Sequence, residues 1–222
     1  MLEHLTNIAS ELPYILQGAF VTLIVVVGAL SMGFILGIPL SLLHVYGSKP
    51  VRWAVGLYVW FFRGTPILVL LYLFYFGLFV ALGLDVSALT SSCIVLGLTS
   101  AAYQSQIFRG AVEALPSGQL KAARALGMSD FTGIRSIILP QALRLALPGW
   151  SNEFSIILKD SALVYVIGVP EIMQRSHLVA SRTYSHFTYY ILAGAIFFVI
   201  TVVGLKLLRG LEKKVRLPGY NI

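Results

Sequence analysis

The sequence predicts an all-α membrane protein with five transmembrane helices, the N-terminus outside and the C-terminus in the cytoplasm. Three observations carry that expectation. Apolar residues make up 58% of the 222 positions and charged residues 11%, where a soluble domain has about 45–50% and about 25%. The charges leave long apolar stretches free. The Lys and Arg residues fall mostly on one set of inter-span segments. Mean hydropathy is +0.86. These values exclude an ordinary soluble domain, a disordered chain and a collagen-like fibre. The single cysteine, Cys93, excludes an internal disulfide and any CxxC metal or redox motif.

A span needs about 20 apolar residues, because the hydrocarbon core is about 30 Å thick and a helix rises about 1.5 Å per residue. Residues 1–17 carry Glu3 and Glu11 but no Lys or Arg, so the positive region of a signal peptide is missing. Leu5, Ile8, Leu12 and Ile15 recur at helical spacing and predict a short helix lying on the membrane surface. No charge occurs between Glu11 and Lys49, giving span 1 at 18–43. Pro66 suits a first turn, giving span 2 at 66–82. Span 3 occupies 89–108 and the last span 189–205.

The stretch 137–169 is apolar but holds Arg144, Glu153, Lys159, Asp160, Pro140 and Pro148. It is too long for one span, and prolines break or kink helices. A start near Gly149 gives span 4 at 149–169. The whole chain, 1–222, then forms a single transmembrane domain with a cytoplasmic loop at about 109–136.

Orientation follows from the basic residues. Lys49, Arg52, Arg63, Arg109, Lys121, Arg124, Arg135, Lys206, Arg209, Lys213, Lys214 and Arg216 fall on one side, and only Arg175 and Arg182 on the other. The net charge of +7 is therefore mainly a topology signal, and nucleic acid is not an expected partner. Trp53, Trp60, Tyr189 and Tyr190 read as interfacial belt residues.

Two segments carry the functional information. Ala122, Ala123, Ala125 and Leu126 favour helix, Gly127 suits its C-terminal cap, and Ser129 suits the start of another helix. The result is a cytoplasmic helix–turn–helix with an apolar side formed by Ala122, Ala123, Leu126 and Met128, the kind of patch that marks a contact. The alternative is a solvated loop. In span 4, Glu153 and Asp160 are seven residues apart, which places them within about 20° of one face. Asn152 and Lys159 repeat that relation on a neighbouring face. Charge inside a bilayer faces a cavity or a partner. The two carboxylates could bind an ammonium or guanidinium group, relay protons, or pair with Lys159, Arg144 or Arg63.

Lys121-Ala122-Ala123 followed by Gly127, then Ile137, Leu139 and Pro140, resembles the cytoplasmic "EAA" signature of permease subunits of ATP-binding-cassette importers. Further stretches resemble the polar-amino-acid branch of that family, which serves substrates such as histidine, arginine, lysine, glutamine and glutamate: Arg63-Gly64-Thr65-Pro66, Arg109-Gly110, Gly118-Gln119, Pro140-Gln141-Ala142-Leu143-Arg144, Asn152-Glu153-Phe154, Leu158-Lys159-Asp160-Ser161 and Val166-Ile167-Gly168. The resemblance runs from about Gly18 to the C-terminus. It implies the type I importer permease fold and a place in a bacterial or archaeal cytoplasmic membrane. It also implies a second, identical or paralogous permease subunit, a pair of cytoplasmic ATPase subunits that receive the loop, and an extracytoplasmic binding protein. Glu153 and Asp160 would hold a positively charged group of the substrate, with Asn152, Ser155 and Ser161 as polar neighbours. Gln119, Lys121, Ala122, Ala123, Leu126, Gly127 and Pro140 would form the ATPase-coupling loop. Two positions depart from the pattern. Lys121 replaces the signature Glu, and Gln106 stands where the family often has Glu.

The chain carries no GxxxxGK[ST] phosphate loop. It is therefore expected to be a permease without an ATPase site or cofactor of its own, with ATP and Mg bound by the partner ATPase. Transport would proceed by alternating access. A proton-coupled secondary transporter using Glu153 and Asp160 is the alternative, although no internal repeat supports it. An intramembrane hydrolase lacks a nucleophile paired with a base. The external segment 170–186 reads either as a docking surface or gate, or as a polar interfacial loop. His177 and His186 are nine residues apart, not a metal-ligand spacing, so no metal is expected.

Overall fold

The computed structural model describes residues 2–215, and side chains from Ile8 onward. Arg216 of the orientation set and the Leu5 side chain lie outside that description. All regular structure among the described residues is helical. Eight principal helices follow in order: α1 (Leu2–Tyr46), α2 (Lys49–Gly64), α3 (Ile67–Ala81), α4 (Ala88–Glu113), α5 (Gly118–Ala125), α6 (Leu139–Asp160), α7 (Ile172–Thr183) and α8 (His186–Val215). Among the described residues, α1 from Ile8 onward and α8 are each long and apolar enough to cross a membrane. The bent pair α2–α3 passes the same test as one unit, with 104° between its halves.

The expected surface helix at the N-terminus is not separate. It continues into span 1 as one helix that carries Pro13 and Pro39 internally. Each proline removes only one helical hydrogen bond, and tertiary packing outweighs that loss. The expected start of span 4 at Gly149 is also corrected. A π-helical turn at Ile134–Ile138 leads directly into α6, Pro140 falls in its first turn, and Pro148 sits inside it. The chain is helical on both sides of Pro140, so its missing N–H falls where the π-helical turn passes into the α-helix, and the run carries on through it. The same stretch then tightens to a 3-10 turn at Ser161–Ile167 and stops at Gly168, whose φ of 90° favours glycine. Helix α2 was not anticipated. It is amphipathic, burying Val55 and Phe62 while Trp53 and Trp60 stay exposed. Tyr189 was expected at the interface but is buried, packed with Ile15, Ile172 and Val179.

The molecule is organised around α1 against α4. A Cβ on Gly33 would lie 2.3 Å from Gln104 Nε2 and 2.8 Å from Ser100 Oγ, and one on Gly37 would lie 3.2 Å from the Ser105 backbone N. Small residues thus let two helix backbones approach closely, as membrane helices require. Helix α4 is accordingly the most enclosed, and several of its hydroxyls bond its own carbonyls, Thr99 to Val95 at 2.9 Å for example. Val25, Leu30, Val95, Leu96, Ile157 and Leu158 complete the central core. Phe20, Ile35, Phe198 and Leu207 project outward, as a lipid-facing belt would.

Both ends of α1 are tied down. At one end, Arg109 Nη1 donates to His44 Nε2 at 3.0 Å, and Arg109 Nε pairs with Glu113 at 2.9 Å. Burial and the Arg109 charge hold His44 below its ordinary pKa, so the ring is a neutral acceptor. At the other end, Gly18 lies against the Glu171 backbone. Arg175 donates to the Tyr14 carbonyl at 3.2 Å and to Gln17 Oε1 at 3.1 Å, and Arg182 pairs with Glu11. Glu171 caps α7, accepting from Met173 N and Gln174 N at 2.7 Å each.

Two outcomes are expected. A Cβ at Gly18 would meet the Glu171 and Ile172 backbone at 2.7 Å, where nothing flexible can yield. Gly18→Ala should therefore lower the thermal midpoint of the purified complex, while Gly56→Ala, with nothing within 4 Å, should leave it unchanged or raise it slightly. Burial pushes the Glu171 carboxyl up to about 7, outweighing its two backbone hydrogen bonds. A folded-state value above the unfolded one means that the contribution is full below about 4.5 and is lost as pH rises through about 7. Thermal unfolding at pH 5 and pH 8 should show the wild type losing stability at the higher pH, with Glu171→Gln narrowing the difference.

Candidate functional site

Two constellations emerge, joined by one stretch of helix. The first lies in the α1–α4–α6 interface. Glu153 is 1% exposed. A fully buried carboxylate needs compensating donors, and Ser100 Oγ donates to Glu153 Oε1 at 2.8 Å. Gln104 Nε2 donates to Ser100 Oγ at 3.0 Å and to the Leu30 carbonyl at 3.1 Å. Trp150 Nε1 donates to Gln104 Oε1 at 3.0 Å. Five residues on three helices thus share one polar network inside an apolar bundle. None of the cations expected as structural partners forms a salt bridge with Glu153 or Asp160 among the described residues.

The remaining residues singled out from the sequence are distributed around this network. Asp160 closes α6 and is half-buried. Asn152 is exposed and Ser155 half-buried. Ser161 is buried and donates to the Leu158 carbonyl at 2.7 Å, so its hydroxyl is engaged within the chain. Ser100 and Gln104 were missed. Their signal was uncharged hydrogen-bonding side chains four residues apart in the middle of span 3. A separate groove of about 580 Å³ between α1, α6 and α8 is lined by apolar residues such as Leu30, Phe34 and Phe154. It includes neither Glu153 nor Asp160, and its chemistry does not suit a polar substrate.

The second constellation is the segment after α4. Helix α5 ends at Gly127, whose φ of 80° requires the left-handed region. Ser129 caps the next turn, accepting from Thr132 N at 3.2 Å. Arg124 grips Asp130 through two hydrogen bonds, at 2.6 and 2.9 Å. The Arg124 guanidinium holds the Asp130 carboxyl below the usual range. Ala123 is buried against Gly133, where an added Cβ would lie 3.2 Å from the Ala123 Cβ. Gln119 and Gln141 exchange amide hydrogen bonds at 3.0 and 2.9 Å, tying α5 to the first turn of α6.

The apolar side expected here divides. Ala123 is buried and Met128 half-buried, whereas Ala122 is exposed and Leu126 is 81% exposed. Phe131, missed from the sequence, is 71% exposed. Lys121 and Pro140 are also exposed. Gln106, the second departure, donates to Ser105 Oγ at 3.2 Å and accepts from Arg109 at 3.5 Å. From Asp130 the chain is helical without interruption through Asp160. The turn bearing Phe131 and the residues bearing carboxylates are thus parts of one rod.

A family model described as "Binding-protein-dependent transport system inner membrane component" matches residues 29–217. The chain belongs to this family. Relatives match along nearly its whole length. The probable amino-acid ABC transporter permease protein YckA of Bacillus subtilis is 37% identical over 94% of this chain and 92% of its own. The histidine/lysine/arginine/ornithine transport system permease protein HisM of Salmonella typhimurium is 35% identical over 90% of this chain and 89% of its own. A solved structure described as an amino acid ABC transporter with histidines superposes with a TM-score of 0.84 at 34% identity, covering 94% of this chain and 97% of that one. The chain is therefore a helical permease subunit of an inner-membrane importer, and ATPase activity resides in a separate subunit of such systems.

Gly127→Val tests the loop. A β-branched residue at φ 80° is strained by about 1–2 kcal/mol. Faster protease cleavage between α5 and α6 should follow, with the thermal midpoint of the helix bundle little changed.

Proposed function

We propose that this permease takes polar amino acids, cationic ones included, across the cytoplasmic membrane of a bacterium or archaeon by ATP-driven alternating access. The observation that carries the reading is a permease sequence related along its length to amino-acid permeases, with a buried carboxylate built into its helix bundle. In this reading five spans cross the membrane, at 18–43, within α3, within α4, within α6 with its 3-10 extension, and within α8. The N-terminus lies outside and the C-terminus in the cytoplasm. A second permease subunit, identical or paralogous, completes the pathway. A pair of ATPase subunits holds ATP and Mg, and an external binding protein delivers substrate.

Substrate contact is assigned to Glu153 and Asp160, with Asn152, Ser155 and Ser161 as polar neighbours. A carboxylate pair in a water-poor interior suits an ammonium or guanidinium group, because low dielectric strengthens the attraction. Glu153 is already oriented by Ser100 and Gln104. Asp160, where α6 passes into the 3-10 turn, accepts no such hydrogen bond among the described residues. ATPase contact is assigned to Gln119, Lys121, Ala122, Ala123, Leu126, Gly127 and Pro140, together with Phe131. Closure of the ATPase pair would push on Leu126 and Phe131, and the rod from residue 130 to 160 would carry the motion to Asp160.

The test is uptake into proteoliposomes containing the whole complex, with the external binding protein and labelled arginine, histidine or glutamine. Uptake should require internal ATP, stop with vanadate and ignore an uncoupler. Sensitivity to the uncoupler without sensitivity to vanadate would replace this reading with proton-coupled transport. Leu126→Asp should abolish co-purification of the ATPase while the permease still folds. Glu153→Gln with Asp160→Asn should reduce uptake at least about tenfold in an assembled complex, the scale expected for loss of a charge-assisted contact.

A further inference from the structure

Arg63 stands apart from every other basic residue assigned to the cytoplasmic face. It lies one residue from the end of α2, beside the corner Gly64-Thr65-Pro66 where α2 and α3 diverge by 104°. Its guanidinium covers the Tyr103 ring, 4.8 Å from the ring centroid. Tyr103 is three residues beyond Ser100, the donor to Glu153, and five residues short of Phe108, where span 3 ends. That places a cation against span 3, one helical turn along it from the buried network. It is also within Coulombic range of Glu153.

The guanidinium is not consumed by the fold. Arg63 is exposed, and no carboxylate among the described residues pairs with it. Stacking on Tyr103 occupies one flat face only, leaving the in-plane N–H donors free. A charge held against the middle of a membrane span faces a cavity or a partner, not lipid.

The substrate class proposed above supplies the missing partner. An amino acid carries a carboxylate beside its ammonium group. Glu153 and Asp160 attract the second and repel the first, so an acidic site alone is poorly matched to a zwitterion. A cation close by resolves this. A stacked arginine is well suited, because its pre-oriented donors fit a carboxylate in bidentate fashion. We propose that Arg63 is a specificity residue of the translocation pathway, receiving the α-carboxylate of an amino acid whose cationic group lies against Glu153 and Asp160. The inference rests on the amino-acid reading of this chain.

The experiment measures binding to the detergent-solubilised whole complex without the external binding protein, so that the pathway alone is read. Probes are L-arginine, L-histidine and L-glutamine, each against its α-carboxamide, which keeps the shape and removes the negative charge. The wild type should prefer each bound acid over its amide by about tenfold or more, and Arg63→Gln should erase that preference while binding the amide as the wild type does. Arg63→Lys keeps the charge but loses the paired donors, so it should reduce the preference without erasing it. This variant decides the matter if Arg63→Gln does not assemble. Lys159→Gln, which alters the other nearby cation, should leave the preference intact. The proposal is overturned if Arg63→Gln weakens acid and amide equally, if it retains the acid preference, or if Arg63→Lys retains the full preference. Absence of binding by any amino acid to the wild type would instead overturn the amino-acid reading itself, and this inference with it.

Discussion

The close approach of α1 to α4 is the constraint on which the rest of the structure depends. Gly33 puts no side chain of its own where the Gln104 amide and the Ser100 hydroxyl lie, and Gly37 lets the Ser105 backbone come close. Gln104 can therefore reach across to the Leu30 carbonyl while still bonding Ser100 and receiving Trp150. Without that approach Ser100 would lose its support and Glu153 would be a buried charge with no fixed donor, a costly state in an apolar interior. Small residues on one helix thus permit a carboxylate on another. The polar network is a consequence of backbone geometry as much as of the polar residues themselves.

The second organising feature is continuity. Helices transmit displacement well when nothing interrupts them, and residues 130–160 contain no break. Their axial length is about 45 Å at helical rise, more than the apolar thickness of a bilayer. The π-helical turn at Ile134–Ile138 lies at the Phe131 end of the rod. Irregular turns of this kind accompany functional sites in helices. Here it sits where a lever would need compliance, between Phe131 and the part of α6 that is locked against α4.

How much could be read in the sequence varied with the physical origin of each feature. Charge-free length located the apolar parts of α1, α3, α4 and α8, because the exclusion of charge from hydrocarbon is a strong and simple rule. Helix α2 escaped the same rule, since Lys49, Arg52 and Arg63 break the filter although the helix is amphipathic. The start of α6 was misplaced because proline was read as a breaker, whereas the helix runs through Pro140 at its junction with the π-helical turn. Glu153 was legible as a charge out of place. Ser100 and Gln104 were not, because neutral hydrogen-bonding groups lack that contrast, and which of them meet depends on which helices pack. Phe131 was overlooked for the converse reason: an exposed aromatic in a turn looks like a core residue until the fold shows that nothing covers it.

The reversal at Lys121 bears on what holds the segment between α4 and α6 in shape. The ion pair that links α5 to the turn after it, Arg124 with Asp130, is solvent-exposed on both sides, and such pairs contribute little and weaken in salt. The other determinants are insensitive to salt: the left-handed Gly127, the Ser129 cap, the Ala123–Gly133 contact and the Gln119–Gln141 amide pair. Lys121 participates in none of them, so exchanging acid for base there leaves the loop's own fold intact. The outward face it leaves to a partner is Leu126 and Phe131, which are apolar. On the proposed function, the grip on the ATPase then depends chiefly on burying those two side chains, and Lys121 adjusts which ATPase surface fits beside them.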